Sequence, residues 1–339
     1  MNERCTQRGK NKPGYWVSLT LVTLASTAAS PAFANPESCR AIVDGAARLA
    51  CFDSYFEPIE TAGESVEKLT ILDEEAIQAL PPIEARKTQE LAVTAQSFAI
   101  TPHKPNYILP LTYNASADFS EFGDFEELFS DTEIKMQLSL KTRVVPNLWR
   151  DSSIWVAYTQ QSYWQLYADS EASAPFRETN HQPEIFWEVP VDFDVLGWRA
   201  RTATLAFNHQ SNGRAEPLSR SWNRVTGELA FEKGQFVASA KTWARVGNPE
   251  VDNNPNIEDF MGRIQLGLAY KRNDHTFSLG LKNNLSSDNR SGVELNWTFP
   301  LIEKLDGFIQ IYSGYGENLI DMENYNNRIG IGIALTDWL

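Results

Sequence analysis

Four histidines occur in the 339 residues, at positions 103, 181, 209 and 275. One of them stands among residue types that acyl-transfer chemistry needs. The run Leu205-Ala206-Phe207-Asn208-His209-Gln210-Ser211-Asn212-Gly213-Arg214 sets a histidine two residues before a serine. Alternate side chains of a strand share a face, so His209 and Ser211 project together, with Leu205 and Phe207. In the next segment Ser219, Ser221, Asn223, Val225, Leu229 and Phe231 share one face, and Arg220, Arg224 and Glu228 take the other. Gly213 and Pro217 mark a turn between the two. A hairpin centred near Glu216 puts His209 opposite Asn223, within hydrogen-bonding reach. A serine hydroxyl is a weak nucleophile until an imidazole takes its proton. An amide oxygen can hold the other ring N–H and fix the tautomer, although it stabilises the imidazolium less than a carboxylate would. Ser211, His209 and Asn223 can thus act as nucleophile, base and orienting group. Spacing alone fits a polar patch at the rim of a pore equally well. A histidine and a serine are costly on an otherwise apolar face, which favours chemistry.

The elements that must position these residues are strands. From about residue 105 the hydrophobic period is two. Ile134, Met136, Leu138 and Leu140 alternate with Lys135, Gln137, Ser139 and Lys141; Val293, Leu295, Trp297 and Phe299 alternate with Glu294, Asn296 and Thr298. The same holds for Ile264 to Tyr270, for Phe277 to Leu281, and for Ile329, Ile331, Ile333 and Leu335, with Leu339 on the same face. A soluble β-sandwich would alternate in the same way. Three features favour a membrane barrel: segments of about 8–11 residues, the length of a tilted spanning strand; aromatic residues near segment ends (Trp149, Trp155, Tyr158, Trp243, Trp297, Tyr315 and Trp338); and an apolar C-terminal segment. About 235 residues at roughly 19 per strand and turn predict an all-β fold, a twelve-stranded antiparallel transmembrane β-barrel. A small N-terminal periplasmic extension precedes it.

Composition agrees. Charged residues are 22% and aromatics 12%, and apart from the N-terminus no apolar run is long enough for a membrane helix. A net charge of −14, with no basic patch, argues against nucleic acid. Arg4, Arg8, Lys10 and Lys12, the apolar run Tyr15 to Ala29, and Ala32-Phe33-Ala34 read as a signal peptide over 1–34, cleaved after Ala34. The mature charge becomes −17, since four basic residues and one acid leave. Cys39 and Cys51, twelve apart, then form the remaining pair and predict one disulfide in an oxidising compartment. Residues 35–104 read as a disulfide-pinned segment and an acidic linker, with helix-compatible stretches at 41–49 and 72–80 and a break at Pro81-Pro82. The barrel domain follows over 105–339.

The segments Asn208 to Arg214 and Ser219-Arg220-Ser221-Trp222-Asn223-Arg224 resemble the outer membrane phospholipase A family, as do Pro175 to Asn180, Tyr312 to Glu317 and Leu319-Ile320-Asp321. The resemblance covers roughly residues 105–339. It implies a bacterial outer-membrane enzyme that hydrolyses the sn-1 and sn-2 acyl esters of phospholipids and lysophospholipids, depends on Ca2+, and is active as a homodimer. Position by position, it implies Ser211 as nucleophile, His209 as base, Asn223 as orienting residue, and the Gly213 N–H in the oxyanion hole. Calcium would be held by the Arg214 carbonyl and Ser219, with a partner-subunit ligand near Ser173. Glu216 and the Asp252–Asn253 region match further acidic positions of the family. Gln160 matches a membrane-embedded glutamine at the dimer interface, where a twin across a two-fold axis would satisfy its amide. A passive porin-like barrel and a soluble periplasmic binding sandwich are the alternatives.

Overall fold

The computed structural model describes residues 39–40, 42–53, 76–77, 79–94, 99–247, 254–302 and 305–336. The expected signal peptide, most of the 72–80 stretch, Asp252, Asn253, Trp338 and Leu339 lie outside them. The chain divides into two compact units, residues 1–62 and 63–339. In the first, Cys39 and Cys51 are joined by a disulfide. Helix α1 (Gly45–Asp53) starts there on an Asp44 cap, with Ala47 N donating to Asp44 Oδ1 at 2.9 Å.

The second unit is a barrel of β1 (Ile100–Pro102), β2 (Asn106–Asn114), β3 (Thr132–Val145), β4 (Ser153–Trp164), β5 (Phe176–Val195), β6 (Trp198–Ser211), β7 (Ser221–Lys233), β8 (Phe236–Val246), β9 (Ile264–Arg272), β10 (His275–Asn283), β11 (Ser291–Ile302), β12 (Leu305–Gly314) and β13 (Asn326–Thr336). Every pairing is antiparallel, β13 pairs with β2, and β3 pairs with β4, so the sheet closes. β1 and β2 both pair with β3, at Thr101↔Lys141 and Tyr107↔Gln137. They are two parts of one broken stave, and the barrel has twelve. Closure pairs each of β2 to β13 on both sides, as the interior of a bilayer requires, and only the three-residue β1 has a single neighbour.

The period-two faces sort as the chemistry demands. Leu138, Leu205, Phe207, Leu266, Leu295, Ile329 and Ile331 are exposed on the outer wall, whereas Glu133, Lys135, Arg177, Glu184, Arg224 and Arg328 are buried inside. Two expected rim aromatics face inward instead. Trp155 is buried, stacked on Phe186, with Lys141 Nζ 4.5 Å from its ring. Trp243 is buried and donates to Gly262 O at 2.8 Å. Closeness to a segment end does not fix the face; position parity does, and both share parity with luminal neighbours.

The two ends differ. β5–β6, β7–β8 and β9–β10 are joined at one end by the two-residue turns 196–197, 234–235 and 273–274; loops 115–131, 165–175, 212–220 and 315–325 cluster at the other. Short turns mark the periplasmic side of an outer-membrane barrel and long loops the outside. On the long-loop side, helix α3 (Ile257–Met261) packs with Trp222, Trp243, Leu319 and Met322 in a buried apolar cluster.

The periplasmic mouth is occupied by helix α2 (Pro82–Thr94). Residues 76–77 are helical and 79–81 are not, and Pro82 begins the next helix, because a first-turn proline loses no intrahelical bond. Glu84 pairs with Arg201, Glu90 with Lys141 at 2.8 Å, and Lys87 Nζ donates to Arg201 O at 3.3 Å. Arg86 Nη2 reaches His103 O at 2.9 Å, and Arg143 Nη2 reaches Thr94 O at 3.0 Å. Burial alone would raise the Glu90 carboxyl; the charges of Lys141 and Arg86 outweigh it and hold the group below its ordinary range. The segment expected to be part of a linker is therefore docked on the barrel. Its helical pattern is weakly amphipathic because its partners are luminal charges rather than an apolar core.

Candidate active site

β6 and β7 carry the site at their outer ends. Their register pairs His209 with Asn223, Gln210 with Trp222, and Ser211 with Ser221. The hairpin is thus centred at Glu216, as the sequence predicts. His209 Nδ1 lies 2.8 Å from Asn223 Oδ1. An amide oxygen can only accept, so the ring proton sits on Nδ1, and Nε2 is left with its lone pair. Among the described residues neither Nε2 nor Ser211 Oγ has a hydrogen-bond partner. Catalytic contacts of this kind commonly tighten when substrate arrives. Ser211, His209 and Asn223 are half-buried on the outer wall, directly above the exposed Phe207, Leu205 and Val225.

The loop between the strands is built around Asn212. Its Nδ2 donates to Leu218 O at 2.8 Å, and its Oδ1 accepts from Arg220 N at 3.0 Å and Arg214 N at 3.3 Å. One side chain closes the loop internally and fixes the chain on both sides of Gly213. Gly213 has φ +67, a left-handed conformation that glycine adopts without steric cost. A Cβ there would meet only the His181 ring, at 3.7 Å, so the backbone angle, not space, calls for glycine. Asn212 itself escapes sequence reasoning about chemistry: it touches no reacting atom, and its single signal is the Asn-Gly turn pair.

The Arg214 guanidinium turns inward and donates to the carbonyls of Phe176 (3.1 Å) and Arg177. Its own carbonyl and Ser219 Oγ have no hydrogen-bond partner among the described residues, and Glu216 is exposed at the hairpin tip. Uncharged oxygens of this kind, with a carboxylate in the same loop, suit a hard divalent cation such as calcium. Among the described residues no cluster of three His, Cys, Asp or Glu could hold a metal by itself. Ser173 lies exposed in the β4–β5 loop with φ +56, and among the described residues no hydrogen bond joins it to Arg214 or Ser219. Gln160 is bonded within its own wall: its Oε1 accepts from Tyr158 OH and its Nε2 donates to Ser162 Oγ, both at 3.2 Å.

Beneath the loop, inside the barrel, lies a charge network that was not singled out from the sequence. Arg177 binds Glu133 through Nε (3.0 Å) and Nη2 (2.9 Å), and Asp321 through Nη1 (2.7 and 2.8 Å). Arg328 binds Glu133 at 2.8 Å and Glu317 at 3.0 Å, and Lys135 binds Glu317 at 2.9 Å. Glu317 lies in the β12–β13 loop. Burial pushes its carboxyl up, but Arg328 and Lys135 outweigh burial and hold it at about 2.

A family model described as phospholipase A1 matches residues 83–335. A putative phospholipase A1 of Neisseria meningitidis is 31% identical over 344 residues, covering 88% of this chain and 90% of that protein. The phospholipase A1 of Escherichia coli K12 is 37% identical over 249 residues, covering 71% and 82%. Among solved structures, outer membrane phospholipase A from Escherichia coli superposes with a TM-score of 0.67 at 36% identity, covering 72% of this chain and 94% of that one. The outer membrane phospholipase of Salmonella typhi, solved as a dimer with bound calcium, gives 0.67 at 34% identity, covering 71% and 93%. With a family match spanning the whole barrel and relatives above 30% identity across most of their own length, this chain belongs to the phospholipase A1 family, the enzymes of the outer-membrane barrel.

Proposed function

We propose that the protein hydrolyses the sn-1 and sn-2 acyl esters of membrane phospholipids, and of lysophospholipids, with Ser211, His209 and Asn223 on the lipid-facing wall. The observation that carries this reading is the 2.8 Å contact between His209 Nδ1 and Asn223 Oδ1, with Ser211 on the same wall two residues from the imidazole. An acyl chain lying along Leu205 and Phe207 brings its ester to Ser211 at the membrane surface. Ser211 Oγ attacks the ester carbonyl carbon while His209 Nε2 takes the hydroxyl proton. Asn223 Oδ1 holds the Nδ1–H throughout and orients the imidazolium. The Gly213 N–H donates to the oxygen on which negative charge develops. His209 then returns its proton to the departing glycerol oxygen, leaving an acyl-serine. A water molecule, deprotonated by the same imidazole, attacks that ester, releases the fatty acid and restores Ser211.

The Arg214 carbonyl, Ser219 and Glu216, with the partner subunit's Ser173, are the groups that would hold calcium. When bound, the ion supplies positive charge beside the developing oxyanion. Donors from two chains make calcium binding and homodimer formation mutually reinforcing, and the outer-wall row at Gln160 is the face on which two barrels would meet. A passive porin-like barrel is disfavoured, because α2 occupies the periplasmic mouth and the α3 cluster the other end.

The test is ester hydrolysis in detergent micelles with calcium or a chelator, with a sulfonyl fluoride used to label the nucleophile. Calcium-dependent release of fatty acid and a label that maps to Ser211 are expected. Retention of activity within tenfold in Ser211→Ala would overturn the reading, since losing the nucleophile costs several orders of magnitude.

A further inference from the structure

The lumen carries more positive charge than its carboxylates match. A cavity of about 390 Å³ runs inside the barrel from Lys87 and Glu90 of α2 to Met261 of α3. Two cations on its wall are paired: Lys104 Nζ lies 3.7 Å from Glu184, and Lys241 Nζ lies 3.4 Å from Glu228. Glu317 is taken by Arg328 and Lys135, and at the α2 end Glu90 and Glu188 face Lys141 and Lys87. Arg224 of β7 and Lys282 of β10 line the same cavity, and among the described residues neither forms an ion pair. Their charges are near enough to repel each other. The carboxylate left on this stretch of wall is Glu294, which accepts from Asn296 Nδ2 at 3.0 Å and forms no ion pair among the described residues. Arg224 and Lys282 against Glu294 leave a single positive charge without a counter-charge.

Arg224 is the cation most in need of one. It is 8% exposed. Its guanidinium carbon lies 4.1 Å from the centre of the Trp222 ring and 5.4 Å from that of Trp243. Nη2 donates to Asn208 Oδ1 at 2.7 Å and Gln210 Oε1 at 3.2 Å. Nε is buried with no partner, and Nη1 has none among the described residues. The indole faces attract the cation without neutralising it. A buried charge satisfied on one side only is costly until a counter-charge reaches it. Lys282 Nζ donates to Gly316 O at 2.8 Å, and an ammonium has further protons to give.

We infer that the lumen binds one monovalent inorganic anion of halide size, held by Arg224 Nη1, with the Lys282 ammonium as its second positive neighbour. A single uncompensated charge calls for a single negative one, and a divalent anion would overshoot it. Guanidinium and ammonium groups only donate, so the ligand must be an acceptor, as a halide is. A water molecule would accept from Nη1 but leave the charge uncompensated. The ion lies beneath α3, and through Arg224 it fixes Asn208 and Gln210, the inward residues on either side of His209. The inference does not depend on which residue is the nucleophile.

The experiment follows refolding of the full chain from urea into phospholipid vesicles by tryptophan fluorescence. Ionic strength is fixed, and sodium gluconate is replaced stepwise by sodium chloride or bromide. Above its dissociation constant the halide should raise the folded-to-unfolded ratio about tenfold for each tenfold rise in its concentration. Arg224→Met should abolish that slope. Lys282→Met should move its onset to about tenfold higher halide or beyond, because one of the two positive neighbours is gone. Crystals soaked in bromide should show an anomalous peak within hydrogen-bonding reach of Arg224 Nη1. The inference is overturned if wild type is equally stable in gluconate and halide, if Arg224→Met keeps the wild-type slope, or if bromide occupies only sites outside the lumen. A slope produced by phosphate and not by halide overturns the monovalent assignment. Should Arg224→Met fail to fold, an unchanged onset in Lys282→Met overturns the site.

Discussion

Replacing Arg177 with Met tests whether the β6–β7 loop stands on a neutral buried charge network. Glu133, Glu317 and Asp321 face Lys135, Arg177 and Arg328, three acids against three bases, and every one of them is buried. Arg177 makes four charged hydrogen bonds, two to each of two carboxylates. Methionine fills similar volume but leaves Asp321 with no cation and the network with one excess negative charge. Breaking a buried pair on one side costs about 3–5 kcal/mol. The loss should appear as a lower urea midpoint for refolding into phospholipid vesicles, followed by tryptophan fluorescence. Activity should fall as well, because the Arg177 carbonyl is one of the anchors of the Arg214 guanidinium at the β6–β7 hairpin, with the Phe176 carbonyl and Glu178. Adding Asp321→Asn restores neutrality with Glu133 and Glu317 still facing Arg328 and Lys135, so the double variant should regain at least about 1 kcal/mol. A single-variant cost below about 1 kcal/mol, or a double variant no more stable than the single, refutes the account.

Asn223→Ala should impair hydrolysis less than His209→Ala, since one residue orients the imidazole and the other moves the proton; equal kcat losses would contradict those roles. Glu317 is held at about 2 in the folded protein, below its unfolded value of roughly 4.5. Its contribution is fully present above pH 4.5 and is lost as the pH falls towards 2, so a urea midpoint lowered between pH 4.5 and 3 in wild type should be weaker in Glu317→Gln. Glu90→Lys sets a cation against Lys141 and Arg86 and should expose residues 82–94 to protease, with protection regained in Glu90→Lys/Lys141→Glu; mass mapping of the fragments checks both. Sedimentation in micelles should show a tighter dimer with calcium than with chelator, and no such difference in Ser219→Ala.

The barrel was legible because a two-sided wall writes a period of two into the chain. The hairpin centre at Glu216 follows from two turn residues and one face assignment, and the 209↔223 register agrees with it. Residues that act across many strands leave no local pattern. Glu133 and Arg177, or Lys135 and Glu317, are far apart in sequence, and each reads singly as an ordinary luminal charge. Trp155 and Trp243 were misassigned to the rim by distance from a segment end, where parity decides. Helix α2 was hidden because its docking partners are charges, which impose little hydrophobic period on a helix.

The division of labour between the two faces of the wall explains how the proposed exposed triad can be preorganised. A serine, a histidine and an asparagine facing lipid have no surrounding core to hold them. Their backbones are held instead from the other side. Between His209 and Ser211 sits Gln210, which accepts from Trp222 Nε1 at 3.0 Å, and Trp222, between Ser221 and Asn223, is buried in the α3 cluster. Asn208, preceding His209, accepts from Arg224 at 2.7 Å. Each outward side chain of the proposed triad is thus flanked in sequence by an inward one fixed in a buried contact. Because the strand period is two, fixing the inward residue fixes the direction of its outward neighbour. On this argument the luminal polar residues of β6 and β7 serve catalysis without touching substrate. Gln210→Ala would loosen the His209–Ser211 geometry, and its effect belongs in kcat rather than in KM.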